Sequence, residues 1–188
     1  MKKLLVVFPG LGYSSDRPLL YYARKIAGIK NYDVINADYA GTIKFGKTKI
    51  SEETAQNGYI ACKPILDKID FRSYDKILFV SKSIGTTIGK ISEKEILSSG
   101  KNPGMKIRHC LLSPLEMTFK YANENDIYMC GTEDQFTSMA AIKRFTVSNK
   151  VKFYLYERAN HSLEVPDDID ATLKIEKDII SIYKKIII

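Results

Sequence analysis

Short apolar runs alternate along this chain with longer stretches of helical period. Residues 4–8 form the first apolar run and predict a strand. Residues 18–27 predict a helix, with Ser15 or Asp16 as its cap. Val34 and Ile35 mark a short strand, and a polar, glycine-containing stretch follows it. A second helix is predicted over 52–69, opened by Ser51 with Thr54 in its first turn. Residues 77–80 are apolar without a break, as in a strand of a parallel sheet buried on both faces. The helix predicted over 84–97 stops at Ser98-Ser99-Gly100, and strands follow at 107–112, 127–130 and 151–156. A final helix over 168–187 sets Ile175, Ile179, Ile182 and Ile186 on one stripe.

This order predicts an α/β fold: a doubly wound, mostly parallel sheet with helices on both faces. Neither an internal repeat nor a Pro/Gly-rich linker divides the chain, so residues 1–188 are expected to form a single domain. In sheets of this kind ligands meet the carboxyl ends of the strands. The residues that follow each strand therefore carry the functional question.

Composition narrows the partners. With 45% hydrophobic and 27% charged residues, the chain can build a substantial core and is not expected to be disordered. The net charge of +7 would suit nucleic acid, but only six of the 29 basic residues are arginine, the side chain suited to phosphate, and the lysines are scattered along the chain. That pattern reads as a solvated surface, so no nucleic-acid partner is expected. Cys62, Cys110 and Cys130 are odd in number and lack metal-ligand spacing. They fit buried thiols in a reducing, cytoplasmic compartment, with no metal and no cofactor. The opening MKKLLVVFPGLG has too short an apolar run for a signal peptide and reads better as a strand. No segment approaches the length of a membrane span, so no membrane partner is expected.

After the first strand comes Pro9-Gly10-Leu11-Gly12-Tyr13. A dinucleotide fingerprint would use Gly10 and Gly12, but Ser15 occupies the third glycine position, and the acid for ribose would fall loosely to Asp33 or Asp38. A phosphate-binding loop fits worse, because Gly85 and Gly89-Lys90 are wrongly spaced and no Ser or Thr follows Lys90. After the central strand comes Ser81-Lys82-Ser83-Ile84-Gly85. Taken alone, Ser83 reads as well as a helix cap as a nucleophile. A nucleophile on a sharp strand-to-helix turn needs small residues two before and two after it, and Ser81 and Gly85 meet that demand. The fourth long strand leads into Gly131-Thr132-Glu133-Asp134, and the last one into Asn160-His161-Ser162-Leu163-Glu164. A serine, an acid and a histidine in that order, each just past a different strand, are unlikely to coincide by chance.

On these motifs, which span nearly the whole chain, the sequence resembles the α/β-hydrolase family, and most closely its small members without a cap domain. Between Ser113 and Asp126 there is room for a loop or one short helix, not a lid. Ser81 stands where glycine is usual, and Pro9 where many members have histidine. The resemblance implies a serine hydrolase, carboxylesterase-like, that cleaves a small ester, thioester or amide through an acyl-enzyme. Its small-molecule acyl substrate would meet Ser83 as nucleophile, His161 as base and Asp134 as the acid orienting it. Backbone N–H groups of Leu11 and Ile84 would form the oxyanion hole. The alternative is a hydrolase-fold binding or regulatory protein with little or no turnover; a nucleotide-binding flavodoxin-like domain rests only on Gly10 and Gly12.

Glu133 is the second choice for the acid, since the family's glycine-x-x-acid spacing favours Asp134, and Glu116 the third. His109, inside a strand, reads as a packed or edge histidine. Lys82 either lines the site or reaches solvent, and the sequence does not choose between these. Tyr13 and Tyr121 are candidate pocket walls, and Glu164 a candidate neighbour of His161.

Overall fold

The computed structural model describes residues 1–39, 41, 50–99 and 104–188. Its elements run β1 (Lys3–Phe8), α1 (Pro18–Ile29), β2 (Tyr32–Asn36), α2 (Glu52–Leu66), β3 (Lys76–Lys82) and α3 (Ile84–Ser98), and continue with β4 (Ile107–Leu112), β5 (Ile127–Gly131), α4 (Met139–Ser148), β6 (Lys152–Tyr156) and α5 (Ile169–Ile186). Much of the stretch after Ile35, and Gly100 at the expected end of the third helix, lie outside the described residues.

The strands form one sheet in the order β2-β1-β3-β4-β5-β6, and every neighbouring pair is parallel. The chain steps outward from β1 to β2, then returns past β1 and runs the other way from β3 onward. Strand order thus reverses between β1 and β3, which opens the crevice where ligands of such sheets bind. Alternation along the strands sends one set of side chains to each face. Leu5, Val7, Leu78, Val80, Leu112 and Met129 face α1 and α5, where Leu20, Ala23, Ile179 and Tyr183 meet them. Leu4, Val6, Phe8, Phe79 and Ile107 face α2 and α3, against Ala55, Cys62, Ile84 and Ile88. Each large side chain buried this way contributes on the order of 1.5–3 kcal/mol. All four isoleucines of the predicted stripe on α5 are buried.

Local chemistry explains where the elements begin. Ser51 and Thr54 form a reciprocal capping box at the start of α2, as the sequence predicts. At α1 the expected side-chain cap is absent: Arg17 occupies the cap position, no side chain bonds there, and Pro18 sets the first helical φ instead. Asp16 is drawn to Arg24, 2.7 Å away. α4 is a helix that the sequence reading does not predict. Ser138 caps it by accepting from the Ala141 N–H, and Phe145 packs against Leu111 and Tyr128. Between β4 and β5 the chain makes only a 3-10 turn at Glu116–Tyr121, so no lid is inserted between these two strands. Among the described residues no helix is long and apolar enough to cross a membrane.

Candidate active site

β3 ends at Lys82 and α3 begins at Ile84, so Ser83 alone turns the chain from strand to helix. It does so with φ 56° and ψ −125°, a left-handed φ that costs a non-glycine residue on the order of 1–3 kcal/mol. Although it stands at the helix-cap position, its side chain makes no capping hydrogen bond. The cap reading of Ser83 therefore fails on geometry. The small flanks have distinct causes. A Cβ on Gly85 would lie 2.4 Å from the Phe8 carbonyl oxygen and 2.5 Å from that of Pro9, so α3 crosses the end of β1 too closely for any side chain. Ser81 is fully buried beside Phe8, and its Oγ has no hydrogen-bond partner among the described residues.

The end of β5 and the loop after β6 are fastened together. A Cβ on Gly131 would meet the Ala159 carbonyl oxygen at 2.0 Å, and Glu133 N donates to that same oxygen at 2.9 Å. Arg158 N donates to Thr132 Oγ1 at 2.8 Å. Asn160 then folds the following turn, its Oδ1 accepting from Ser162 N at 2.8 Å and Glu164 N at 3.2 Å. These contacts bring His161 between Asp134 and Ser83. His161 Nδ1 lies 2.9 Å from Asp134 Oδ1 and 2.8 Å from Oδ2, while Nε2 lies 2.8 Å from Ser83 Oγ. The Asp134 side chain is fully buried and also accepts from Phe136 N at 2.8 Å. Burial pulls the His161 imidazole below its ordinary pKa; the hydrogen bond to Asp134 opposes the shift and the charge on Lys82 adds to it. The ring is then the neutral form, able to accept a proton at Nε2.

Gly10 and Tyr13 exchange two backbone hydrogen bonds across a tight turn, with Gly12 at φ 75°, which leaves Leu11 at its tip. The amides of Leu11 and Ile84 have no acceptor among the described residues. Gly10 approaches the serine closely enough that a Cβ there would lie 3.2 Å from Ser83 Cβ. A cleft of about 520 Å³ adjoins this turn, lined by Gly10, Ser14, Arg17 and Asn36 among others. On the other side Phe136, 45% exposed, leans on the His161 ring with centroids 4.5 Å apart.

The remaining candidates scatter. Glu133 points to solvent, and Glu116 accepts from the Ser138 amide and hydroxyl at the start of α4, far in role from any base. His109 is buried in β4 against Phe79 and Glu93, as a packed histidine. Tyr121 packs into the face that α2 and α3 cover, whereas Tyr13 reaches the Leu19 amide through its hydroxyl at 3.2 Å. Glu164 is half-buried in the turn after His161. Lys82 does not reach solvent: it is 1% exposed and donates to the His161 carbonyl oxygen at 2.6 Å. Ser113, which no sequence signal marks, donates its hydroxyl to the same oxygen at 2.7 Å. Among the described residues no cluster of three His, Cys, Asp or Glu side chains is arranged to hold a metal.

No protein-family model matches the chain, and no curated protein matches it in sequence. Solved structures do match its fold. An α/β serine hydrolase homologue from Coxiella burnetii superposes with TM-score 0.63 at 14% identity, over 96% of this chain and 84% of that one. An α/β serine hydrolase without a lid from Xanthomonas campestris gives 0.63 at 10% identity, over 94% and 78%. Est1E from Butyrivibrio proteoclasticus gives 0.62 at 10% identity, over 98% and 88%, and a second structure of that protein holds ferulic acid. The chain has the small α/β serine hydrolase fold in its capless form.

Proposed function

We propose that this protein is a serine hydrolase that cleaves a small ester, thioester or amide through an acyl-enzyme on Ser83. The observation that carries the reading is the continuous line Ser83 Oγ–His161 Nε2 and His161 Nδ1–Asp134, built from the ends of three different strands. A serine hydroxyl is a weak nucleophile until a base takes its proton, and His161 stands at hydrogen-bonding distance to do so. Ser83 Oγ attacks the acyl carbon and its proton passes to Nε2. The carbonyl electrons move onto the oxygen, which the amides of Leu11 and Ile84 stabilise, each donor worth on the order of 3 kcal/mol in the transition state. Asp134 orients the ring and stabilises the imidazolium. That proton then goes to the leaving group as the bond to it breaks, and water, deprotonated by His161, releases the acid.

An open, capless site with Phe136 beside the imidazole suits a small acyl substrate of modest apolar character. The ferulic acid bound by Est1E is a carboxylic acid of that size, and aryl and short-chain p-nitrophenyl esters are therefore the first substrates to offer. Wild type is expected to hydrolyse them, with Ser83→Ala and His161→Ala reduced to background. Equal rates for wild type and Ser83→Ala would remove Ser83 as the nucleophile.

A further inference from the structure

The reaction above leaves the Lys82 side chain unused. Lys82 is also the strangest residue of the site. Its side chain runs from the end of β3 beneath the histidine loop and is 1% exposed. Among the described residues no carboxylate lies within 4 Å of its ammonium. Its hydrogen bond goes to the His161 carbonyl oxygen at 2.6 Å, and the face of Tyr13 lies 5.2 Å away. A buried cation without an ion pair opposes folding, and such groups mark functional sites more often than stabilising ones.

We propose that Lys82 is a positioning residue for His161: its ammonium anchors the main chain of the histidine loop, and its charge, buried beneath that loop, acts on the imidazole. The proposal rests on reading Ser83, His161 and Asp134 as the reacting set. Two donors from adjacent strand ends, Lys82 Nζ and Ser113 Oγ, converge on one carbonyl oxygen. Ser113 is itself fixed, its amide donating to the Met129 carbonyl at 2.7 Å. The residue that carries the base is thereby tied to β3, the strand that carries the nucleophile, and to β4 beside it. A shift of the loop would open the 2.8 Å contact between His161 and Ser83.

Charge supplies the second half. The groups facing Lys82 are Asp134 and Cys130 at the end of β5, Glu164 and His161 in the last loop, and Tyr13 above it. Burial pulls the Lys82 ammonium down to about 8, with Asp134, Cys130 and Glu164 opposing. Burial pushes the Cys130 thiol and the Tyr13 hydroxyl up to about 12, so both are neutral when Lys82 titrates. Lys82 is thus cationic at neutral pH and lowers the affinity of His161 for a proton. As pH rises through about 8 it becomes an amine, a weaker donor to the carbonyl.

The test is the pH dependence of p-nitrophenyl ester hydrolysis and of fluorophosphonate labelling in wild type, Lys82→Met and Lys82→Arg, with Ser83→Ala as control. Wild type is expected to lose kcat/KM above about pH 8. Lys82→Met fills the space without donating a hydrogen bond. It should lower kcat by about tenfold with KM little changed, move the acid limb to higher pH and abolish the alkaline fall. Lys82→Arg, bulkier but charged, should restore the acid limb to its wild-type position. A Lys82→Met profile identical to wild type, or Met outperforming Arg, overturns the proposal, because side-chain packing alone would then account for Lys82. Should Lys82→Met fail to fold, a wild-type rate that stays level from pH 7 to about 10 overturns it equally. Failure of the wild type to label at all would instead reject the reacting set, and the two failures are told apart by the Ser83→Ala control.

Discussion

At Ser83 the backbone holds a left-handed φ without glycine's freedom, and the two residues that permit this do so differently. Gly85 faces backbone oxygens that cannot move aside, so Gly85→Ala is expected to abolish hydrolysis and lower the thermal midpoint by many degrees in calorimetry. Ser81 leaves a buried hydroxyl unpaired. Ser81→Ala is therefore expected to stabilise by about 1 kcal/mol in urea unfolding, and Ser81→Leu to wreck the elbow. A destabilised Ser81→Ala would mean that the hydroxyl has a partner after all. Asp134→Asn keeps the shape but loses the charge that fixes the tautomer, and kcat should fall about 10⁴-fold in steady-state kinetics. Ser83, Asp134 and His161 were legible because each lies within a few residues of the end of a predicted strand, where a parallel sheet gathers its ligands. Lys82 was not: whether a lysine at a strand end turns outward or inward depends on what lies above it, here the loop 79 residues further on.

Elements were legible in proportion to their apolar period. β4 has the predicted bounds, and α5, with four buried isoleucines, differs by one residue at each end. α2 ends at Leu66 rather than at residue 69 because the chain continues in tight turns, Lys68 N to Ile65 O and Ile69 N to Leu66 O, which imitate helical spacing. α4 carries too little apolar signal to be read from sequence: only Ala141, Ile142 and Phe145 of its ten residues are buried, and Val147 is 88% exposed. Its start depends instead on Ser138, which accepts from Ala141 N at 3.2 Å and donates to Glu116 at 2.8 Å. Ser138→Ala should cost about 1 kcal/mol of unfolding free energy and raise hydrogen exchange first in α4. Unchanged exchange there would show that tertiary contacts alone hold the helix.

Across the whole molecule, the all-parallel sheet sets Ser83, Asp134 and His161 at one end, and a second buried polar cluster lies apart from them. Lys90 reaches Glu93 at 2.5 Å and Asp126 at 3.1 Å, and Glu93 lies 3.2 Å from His109 Nε2, close but out of line for a hydrogen bond. Burial pushes the Glu93 carboxyl up, yet the Lys90 ammonium in contact with it outweighs that push and holds the carboxyl well below the usual range, at about 2. Its folded pKa is below the unfolded one, so its contribution is present above about pH 4.5 and is lost as pH falls toward 2. The urea midpoint should drop over that window, and Glu93→Gln should start lower at neutral pH and drop less; parallel curves would exclude this role. On the proposed reading the same fold aims an activated serine at an open crevice. Intact-mass spectrometry after treatment with a fluorophosphonate tests it most directly. A single covalent adduct mapped to the peptide carrying Ser83, absent in Ser83→Ala and strongly slowed in His161→Ala, is the predicted result. An unlabelled wild type, or an adduct that persists in Ser83→Ala, would contradict it.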